Sequence, residues 1–138
     1  MRVALWPDES SAASDVEMRA WHQNPDARVF VALRPDDSLC GFVEVGTRPY
    51  AEGCETSPVG YIEGWYVDAD VRRHGYGRAL LGAAEEWARS AGYTEMASDA
   101  LLDNTVSHRA HGRCGYQEVE RLVTFRKPLT SPRAGTSR

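Results

Sequence analysis

A strand, a glycine-bearing turn and a helix follow one another in the middle of the chain, and this unit limits the possible folds more than any other feature. Residues 59–67 (VGYIEGWYV) are rich in aromatic and β-branched side chains, which favours a strand. Residues 77–91 are predicted to form a helix whose apolar side chains recur at intervals of three and four: Leu80, Ala84, Trp87 and Ala91. Gly92 follows as a helix stop, so strand, turn and helix form one unit.

The turn between strand and helix, residues 72–77 (RRHGYG), has the composition of an anion site. A turn with two glycines exposes backbone N–H groups beside a helix N-terminus, an arrangement suited to a pyrophosphate. Gly75 and Gly77 are expected to let phosphates approach without a β-carbon in the way, and Arg72 and Arg73 add positive charge. The alternative is an ordinary glycine-bearing turn. The segment is neither a GxGxxG dinucleotide fingerprint nor a GKS/GKT phosphate loop.

Periodicity and turn residues predict the other elements. In chain order they are a helix over 9–22, strands over 29–33 and 39–47 joined by a turn at 34–37, a strand over 94–98, a helix over 104–114 and a final strand or hairpin over 116–127. This mixture of strands and helices indicates an α/β (α+β) fold. We expect a single domain over 1–127 and a flexible tail over 128–138, where Pro, Ser, Gly and Thr are frequent.

The charge and the cysteine content of the chain limit its possible binding partners and its cellular compartment. The chain of 138 residues carries 16 basic and 20 acidic side chains, which disfavours a nucleic-acid binder and suits a cationic small substrate. Its three cysteines are an odd number at wide spacing, so we expect no disulfide framework and no zinc site, and a reducing cytoplasm. The four histidines show no ligand spacing, so no metal is predicted. No segment approaches the roughly 20 apolar residues that cross a membrane.

Two segments resemble the signatures of a known enzyme superfamily. Strand 60–67, the pattern RxxGxG at 72–77 and the following helix look like the acetyl-CoA motif of the GCN5-related N-acetyltransferases (GNAT). Downstream, the pattern NxxSxxxHxxxGY at 104–116 is similar to the second signature. The resemblance implies the GNAT fold, a central mixed twisted sheet flanked by helices, with acetyl-CoA as co-substrate.

Four shorter segments resemble the aminoglycoside 6'-N-acetyltransferases within that superfamily: LWP at 5–7, SPVGYIEG at 57–64, ASD at 97–99 and EVER at 118–121. Members usually begin with a strand and a complete helix before the LWP segment, and too few residues precede it here for that strand. Either the start codon is assigned late or this variant lacks the first strand, and we expect the strand to be missing.

The resemblance assigns the cofactor site to the strand, the turn and one asparagine. Trp65, Tyr66 and Val67 are expected to offer backbone groups to the pantetheine arm, since this strand usually separates from its neighbour through a bulge. Around the turn, the resemblance implies a cofactor site formed by Arg72, Arg73, His74, Gly75, Tyr76, Gly77 and Arg78. Asn104 is expected to order the loop beside the cofactor, and its alternative role is the N-cap of the helix that it begins.

Glu63 and Asp99 are the candidate residues for binding the acetyl acceptor and for catalysis. Strict alternation places Glu63 on the same face as Trp65, and Asp99 ends the next strand. Parallel pairing of the two strands would bring both carboxylates to one end of the sheet. Carboxylates complement the ammonium groups of a polycation, and one of them can accept a proton from the attacking amine. The alternatives are solvated surface charge for both and a turn cap for Asp99.

The remaining site candidates come from the resemblance. Trp6 and Tyr50 resemble aromatic walls of a sugar site, and Glu120 matches an acceptor position on the predicted final strand. His111 stands where many relatives carry a tyrosine as general acid, so it is a candidate catalytic acid. A cofactor contact or a position on the helix surface are the alternatives for His111.

The sequence therefore predicts an acetyl-CoA-dependent enzyme that acetylates the 6'-amine of an aminoglycoside by direct transfer in a ternary complex. Two other functions stay open. One is acetyl transfer to another amine, such as a polyamine, an amino acid or a protein terminus, and the other is a non-catalytic acyl-CoA-binding sensor. Relatives are often dimers, so the resemblance also implies a homodimer, with no nucleic-acid or membrane partner.

Overall fold

Four strands form one mixed sheet in the computed structural model, which describes residues 24–130. The strands are β1 (Arg28–Leu33), β2 (Leu39–Arg48), β3 (Val59–Val67) and β4 (Met96–Ser98), and the helices are α1 (Tyr76–Ser90) and α2 (Thr105–Arg113). A 3-10 turn at Ala69–Val71 follows β3. The strands lie side by side in sequence order, with β1, β2 and β3 antiparallel in succession and β4 parallel to β3.

The predicted hairpin at the start of the described chain is confirmed. Strands β1 and β2 pair from Arg28 opposite Val45 to Leu33 opposite Leu39. The turn between them is closed by Asp36, whose carboxylate accepts hydrogen bonds from the backbone N–H and the hydroxyl of Ser38, at 3.0 and 2.6 Å. An aspartate two residues before its partner is a common way to close a turn, so local chemistry sets this register.

Helix α1 packs its apolar face on the sheet and closes the main core. The buried side chains of this core are Leu80, Leu81 and Ala84 from α1 and Val43, Val45 and Ile62 from the sheet. Each is at most 4% exposed. The chain leaves α1 through Gly92, whose φ of +89° is a left-handed conformation that glycine adopts readily. The strand–turn–helix unit predicted from sequence is therefore present.

A β-bulge interrupts the pairing of β2 with β3. Glu44 lies opposite Gly64 and Val45 lies opposite Ile62, so Glu63 is an extra residue on β3. Ile62 and Trp65 both pack on the α1 side of the sheet. Because the bulge resets the alternation, the expectation that Glu63 and Trp65 share a face is wrong.

The predicted final strand over 116–127 is also wrong. Residues 116–130 form no helix or strand, and from residue 117 onward they are exposed. Their large apolar side chains are 59–92% exposed: Val119, Leu122, Val123, Phe125 and Leu129. Alternating apolar residues form a strand only where a sheet edge pairs with them, and within residues 24–130 no strand does so.

Several predictions fall outside the described residues. These are the helix over 9–22, the position of Trp6, the question of a first strand and most of the tail from 128 onward. Among residues 24–130, no helix is both long enough and apolar enough to cross a membrane.

Candidate functional site

The turn before α1 leaves open space at the helix N-terminus. Gly75 is the N-cap, with φ of +86° and no side-chain cap bond to the first turn of the helix. A β-carbon at Gly75 would meet no heavy atom within 4 Å. The backbone conformation therefore explains this glycine, and the turn fits a ligand that approaches the helix N-terminus, where N–H groups favour an anion.

Gly77 is constrained by a different contact. A β-carbon at Gly77 would lie 3.2 Å from the ring of Trp65, which also donates from Nε1 to the Gly77 carbonyl at 3.1 Å. From the sequence we expect this glycine to allow the approach of a phosphate. In the structure, the close neighbour is the Trp65 ring of β3. The absence of a side chain at Gly77 therefore allows α1 to pack closely on that ring.

The basic residues in and beside the turn make different contacts. Arg72 donates from Nε to the Val67 carbonyl at 2.9 Å, and Arg78 donates from Nη2 to the carbonyl of Arg113 at 2.7 Å. Arg73 is exposed and has φ of +68°. His74 is exposed and Tyr76 is half-buried. Arg72 thus fixes the end of β3, and Arg78 ties the start of α1 to the end of α2.

Strands β3 and β4 separate beside this turn. Their parallel pairing runs from Gly60 opposite Met96 to Ile62 opposite Ser98 and ends there. The backbone of residues 63–67 continues β3 with no β4 partner in the described chain. Trp65, Tyr66 and Val67 therefore lie along an open strand edge that leads towards the turn, which fits a pantetheine arm bound by backbone hydrogen bonds.

Glu63 and Asp99 are linked through Arg48 and Tyr61 near the point where the pairing of β3 with β4 ends, with Asp99 directly after β4 and Glu63 in the middle of β3. Glu63 accepts two bonds from Arg48, one from Nε and one from Nη2, each 2.8 Å long. Asp99 accepts a 2.5 Å bond from the hydroxyl of Tyr61, whose ring lies 3.5 Å below the Arg48 guanidinium. Four residues thus form one polar network, which we call the carboxylate network: Arg48, Tyr61, Glu63 and Asp99.

The electrostatics of this network keep its donors protonated. Burial raises the pKa of the Tyr61 phenol well above its usual value, and the hydrogen bond to Asp99 raises it further. The hydrogen bonds from Arg48 to Glu63 raise the pKa of the guanidinium, against a smaller effect of burial. Tyr61 therefore acts as a hydrogen-bond donor that fixes Asp99.

The space where β3 and β4 separate is called the opening below. His111, on α2, lies across this opening from the carboxylate network. Its Nδ1 is 2.8 Å from the Ser107 carbonyl oxygen, which only accepts, so Nδ1 carries a proton. Its Nε2 is 2.8 Å from the hydroxyl of Ser98, the last residue of β4, and its ring contacts Trp65 edge-on at 5.0 Å between centroids. In the neutral ring Nε2 therefore has a lone pair and accepts from the Ser98 hydroxyl.

The other candidates are less closely tied to this opening. Asn104 is the N-cap of α2, accepting from the Ser107 N–H at 3.1 Å, as its alternative role predicted. Tyr50 follows β2 and is 66% exposed. Glu120 is exposed and lies on no strand, because the predicted final strand is absent.

Sequence reasoning missed three residues of the site. Tyr61 carries a usable signal, since it precedes Glu63 by two residues and therefore shares its face. Arg48 reaches Glu63 through the pairing of β2 with β3, and Ser98 reaches His111 through the contact of β4 with α2. The sequence pattern specifies neither contact. Among residues 24–130, no group of three or more His, Cys, Asp or Glu side chains is placed to hold a metal ion.

The sequence and the structure were compared with those of known proteins. Residues 1–116 match the acetyltransferase (GNAT) family. Over 132 residues the chain is 45% identical to aminoglycoside N(6')-acetyltransferase type 1 of Klebsiella aerogenes, covering 94% of this chain and 87% of that protein.

Two solved structures are similar to this one over most of their length. The 6'-N-acetyltransferase AAC(6')-Ih from Acinetobacter baumannii has a TM-score of 0.86 at 35% identity, covering 94% of this chain and 88% of that chain. AAC(6')-Iy in complex with the bisubstrate analogue CoA-S-monomethyl-acetylneamine has a TM-score of 0.88 at 32% identity, with the same coverage of 94% and 88%. The chain therefore belongs to the acetyltransferase (GNAT) family.

Proposed function

We propose that the protein transfers an acetyl group from acetyl-CoA to the 6'-amine of aminoglycosides, directly and within a ternary complex. The observation that carries the proposal is the carboxylate network, in which Arg48 and Tyr61 link Glu63 and Asp99 next to the point where the pairing of β3 with β4 ends. Carboxylates there bind the ammonium groups of a polycation beside the open strand edge. The relative from Klebsiella aerogenes and the structure with the bisubstrate analogue support this choice of acceptor.

Acetyl-CoA supplies an acetyl group activated as a thioester. In our proposal the turn 72–78, with its left-handed Gly75, holds the pyrophosphate. The backbone of Trp65, Tyr66 and Val67 holds the pantetheine arm along the edge that β4 leaves open. Backbone N–H groups on that edge also polarise the thioester carbonyl.

Proton transfer is divided between the two sides of the opening. Asp99, fixed by Tyr61, and Glu63 bind the acceptor, and one of them takes the proton that the amine loses. His111 gives a proton to the leaving thiolate from Nε2, the ring nitrogen that faces Ser98; it does so from the imidazolium form, in which Nε2 carries a proton taken from solvent, and the neutral ring is left behind. The bond from Nδ1 to Ser107 stays intact throughout, so the ring keeps its orientation.

Thiol release from acetyl-CoA tests the function directly. The purified protein is assayed with kanamycin or tobramycin, and in parallel with spermidine, free amino acids and a peptide with a free N-terminus. We expect turnover with the aminoglycosides at the highest kcat/KM. Faster turnover with another amine would assign the enzyme to that class of substrate. Binding of acetyl-CoA without turnover on any amine would favour a non-catalytic sensor.

We also propose that the protein is a cytoplasmic homodimer whose domain spans residues 1–127. The three cysteines are unpaired thiols, as in a reducing compartment. In the segment 116–130, exposed Val123 and Phe125 are suited to burial against a second copy. Sedimentation velocity should show a dimer for the wild type and dissociation for Phe125→Glu; a monomeric wild type would contradict the proposal.

A further inference from the structure

The carboxylate network already contains a cation of its own. The guanidinium of Arg48 faces the Glu63 carboxylate with two parallel bonds of 2.8 Å, and it stacks on Tyr61 at 3.5 Å. Its charge also acts on Asp99, since that carboxylate contributes to the raised pKa of Arg48. Arg48 therefore occupies the place next to Glu63 that an ammonium group of the acceptor needs.

Arg48 is also free to leave that place. It is the last residue of β2, its side chain is 42% exposed, and that of Glu63 is 28% exposed. Ion pairs with this much contact with water are weak, because water solvates the separated charges well. Rotation of the side chain into solvent exposes Glu63 without disturbing the strands.

We propose that Arg48 is a specificity-determining residue that holds Glu63 until a polycationic acceptor displaces it. The inference rests on the proposed function, in which Glu63 and Asp99 bind the acceptor. An acceptor with several ammonium groups replaces the Arg48 charge at Glu63 and also neutralises Asp99. A monoamine provides a single charge for two carboxylates, so it competes poorly with a guanidinium held by two bonds. Arg48 thus selects against small monoamines.

The test compares Arg48→Gln with the wild type in the thiol-release assay. We expect the KM for tobramycin to fall about threefold, the size of a weak ion pair, and the KM for a monoamino sugar to fall further. Arg48→Lys keeps the charge without the two-bond fork, so its KM should lie between the two. Arg89→Gln, which removes an exposed ion pair on α1, is the matched control and should change neither constant.

A double variant distinguishes competition between Arg48 and the acceptor from a role of Arg48 in orienting Glu63. If Arg48 competes with the acceptor for Glu63, adding Glu63→Gln to Arg48→Gln removes the gain in affinity. If Arg48 only orients Glu63, Arg48→Gln raises the KM as Glu63→Gln does, and the inference is wrong. An active wild type with an unchanged KM in both Arg48 variants also overturns it. A wild type that turns over no aminoglycoside overturns the proposed function instead, and the inference with it.

Discussion

The two faces of strand β3 differ in chemistry although they belong to one nine-residue strand. On one face, Ile62, Trp65 and Val67 pack with α1 in the apolar core. On the other, Tyr61 and Glu63 join Arg48 and Asp99 in the carboxylate network. The first face packs in the main core. The second face combines burial in a smaller apolar cluster, Ala51, Val59 and Tyr61, with the charges of the carboxylate network.

The bulge at Glu63 makes this division possible. In a regular strand, Trp65 and Val67 would follow Glu63 onto the polar face. The extra residue returns both to the core and leaves Glu63 beside Tyr61. We therefore expect substitutions in the main core and in the carboxylate network to act independently of each other.

Leu81→Ala should damage the core face alone. Leu81 is 1% exposed in the core under α1, and such truncations cost about 2–5 kcal/mol through lost burial and the cavity left behind. We expect the free energy of unfolding in urea to fall by that amount, while the KM for aminoglycoside in the folded fraction stays near that of the wild type. A large change in KM with unchanged stability would show that the two faces are not independent.

His111→Ala should lower turnover by about 100-fold or more, the usual contribution of a positioned acid or base. His111 contacts Ser98 and Trp65 at the edge between the two faces, so its loss removes a proton donor without removing the acceptor carboxylates. Steady-state kinetics should show a lower kcat with KM values for both substrates changed little. Near-normal turnover would assign the proton to water or to another residue.

Glu63→Gln and Asp99→Asn should damage the polar face alone. Each keeps the shape and removes one charge, and a charge-assisted hydrogen bond is worth about 1.5–3 kcal/mol, so the KM for aminoglycoside should rise about tenfold or more. The KM for acetyl-CoA and the Tm should change little. Glu86→Gln on the exposed side of α1 is the control. Unchanged constants in both variants would place the acceptor elsewhere.

Glu95→Gln should have the smallest effect. It should lower the Tm by an amount that depends on pH. The Glu95 carboxylate accepts bonds from the Thr56 hydroxyl and N–H and from the Glu55 N–H, which hold the loop before β3. The bonds from Thr56 contribute most to lowering its pKa. A lowered pKa in the folded state means stabilisation that is present above the unfolded pKa and is lost as pH falls through the folded value. The Tm difference from wild type should therefore be greatest near neutral pH and vanish in acid; a difference that persists in acid would contradict this origin.

Local pattern was sufficient to predict the central unit. Strand β3, the turn with Gly75, helix α1 and the ending at Gly92 follow from periodicity and glycine conformation, and the structure contains all of them. The two strands that carry Glu63 and Asp99 are parallel neighbours, as that prediction required, but Glu63 lies in the middle of β3 and not at its carboxyl end.

What failed depended on contacts that a single sequence does not show. The face of Trp65 was wrong because strict alternation was applied across a bulge. The resemblance implied a bulge in this strand, but the aromatic, β-branched run does not mark its position. Residues 116–127 alternate like a strand, but a strand needs a neighbour, and alternation does not supply one. Arg48 was missed because its partner is set by the pairing of β2 with β3.

The bulge also limits how such a protein can change over evolutionary time. Substitution at Glu63 alters the acceptor site and leaves chain length untouched. Deletion of the extra residue would restore regular alternation and leave Ile62, Trp65 and Val67 on the core face, because Ile62 and Trp65 would then be two positions apart. Loss of one residue elsewhere in the strand would instead move the side chains on one side of the gap to the opposite face. The length of this strand can therefore change at the bulge without loss of the core face, and acceptor preference can change there by substitution of Glu63 or by removal of the extra residue.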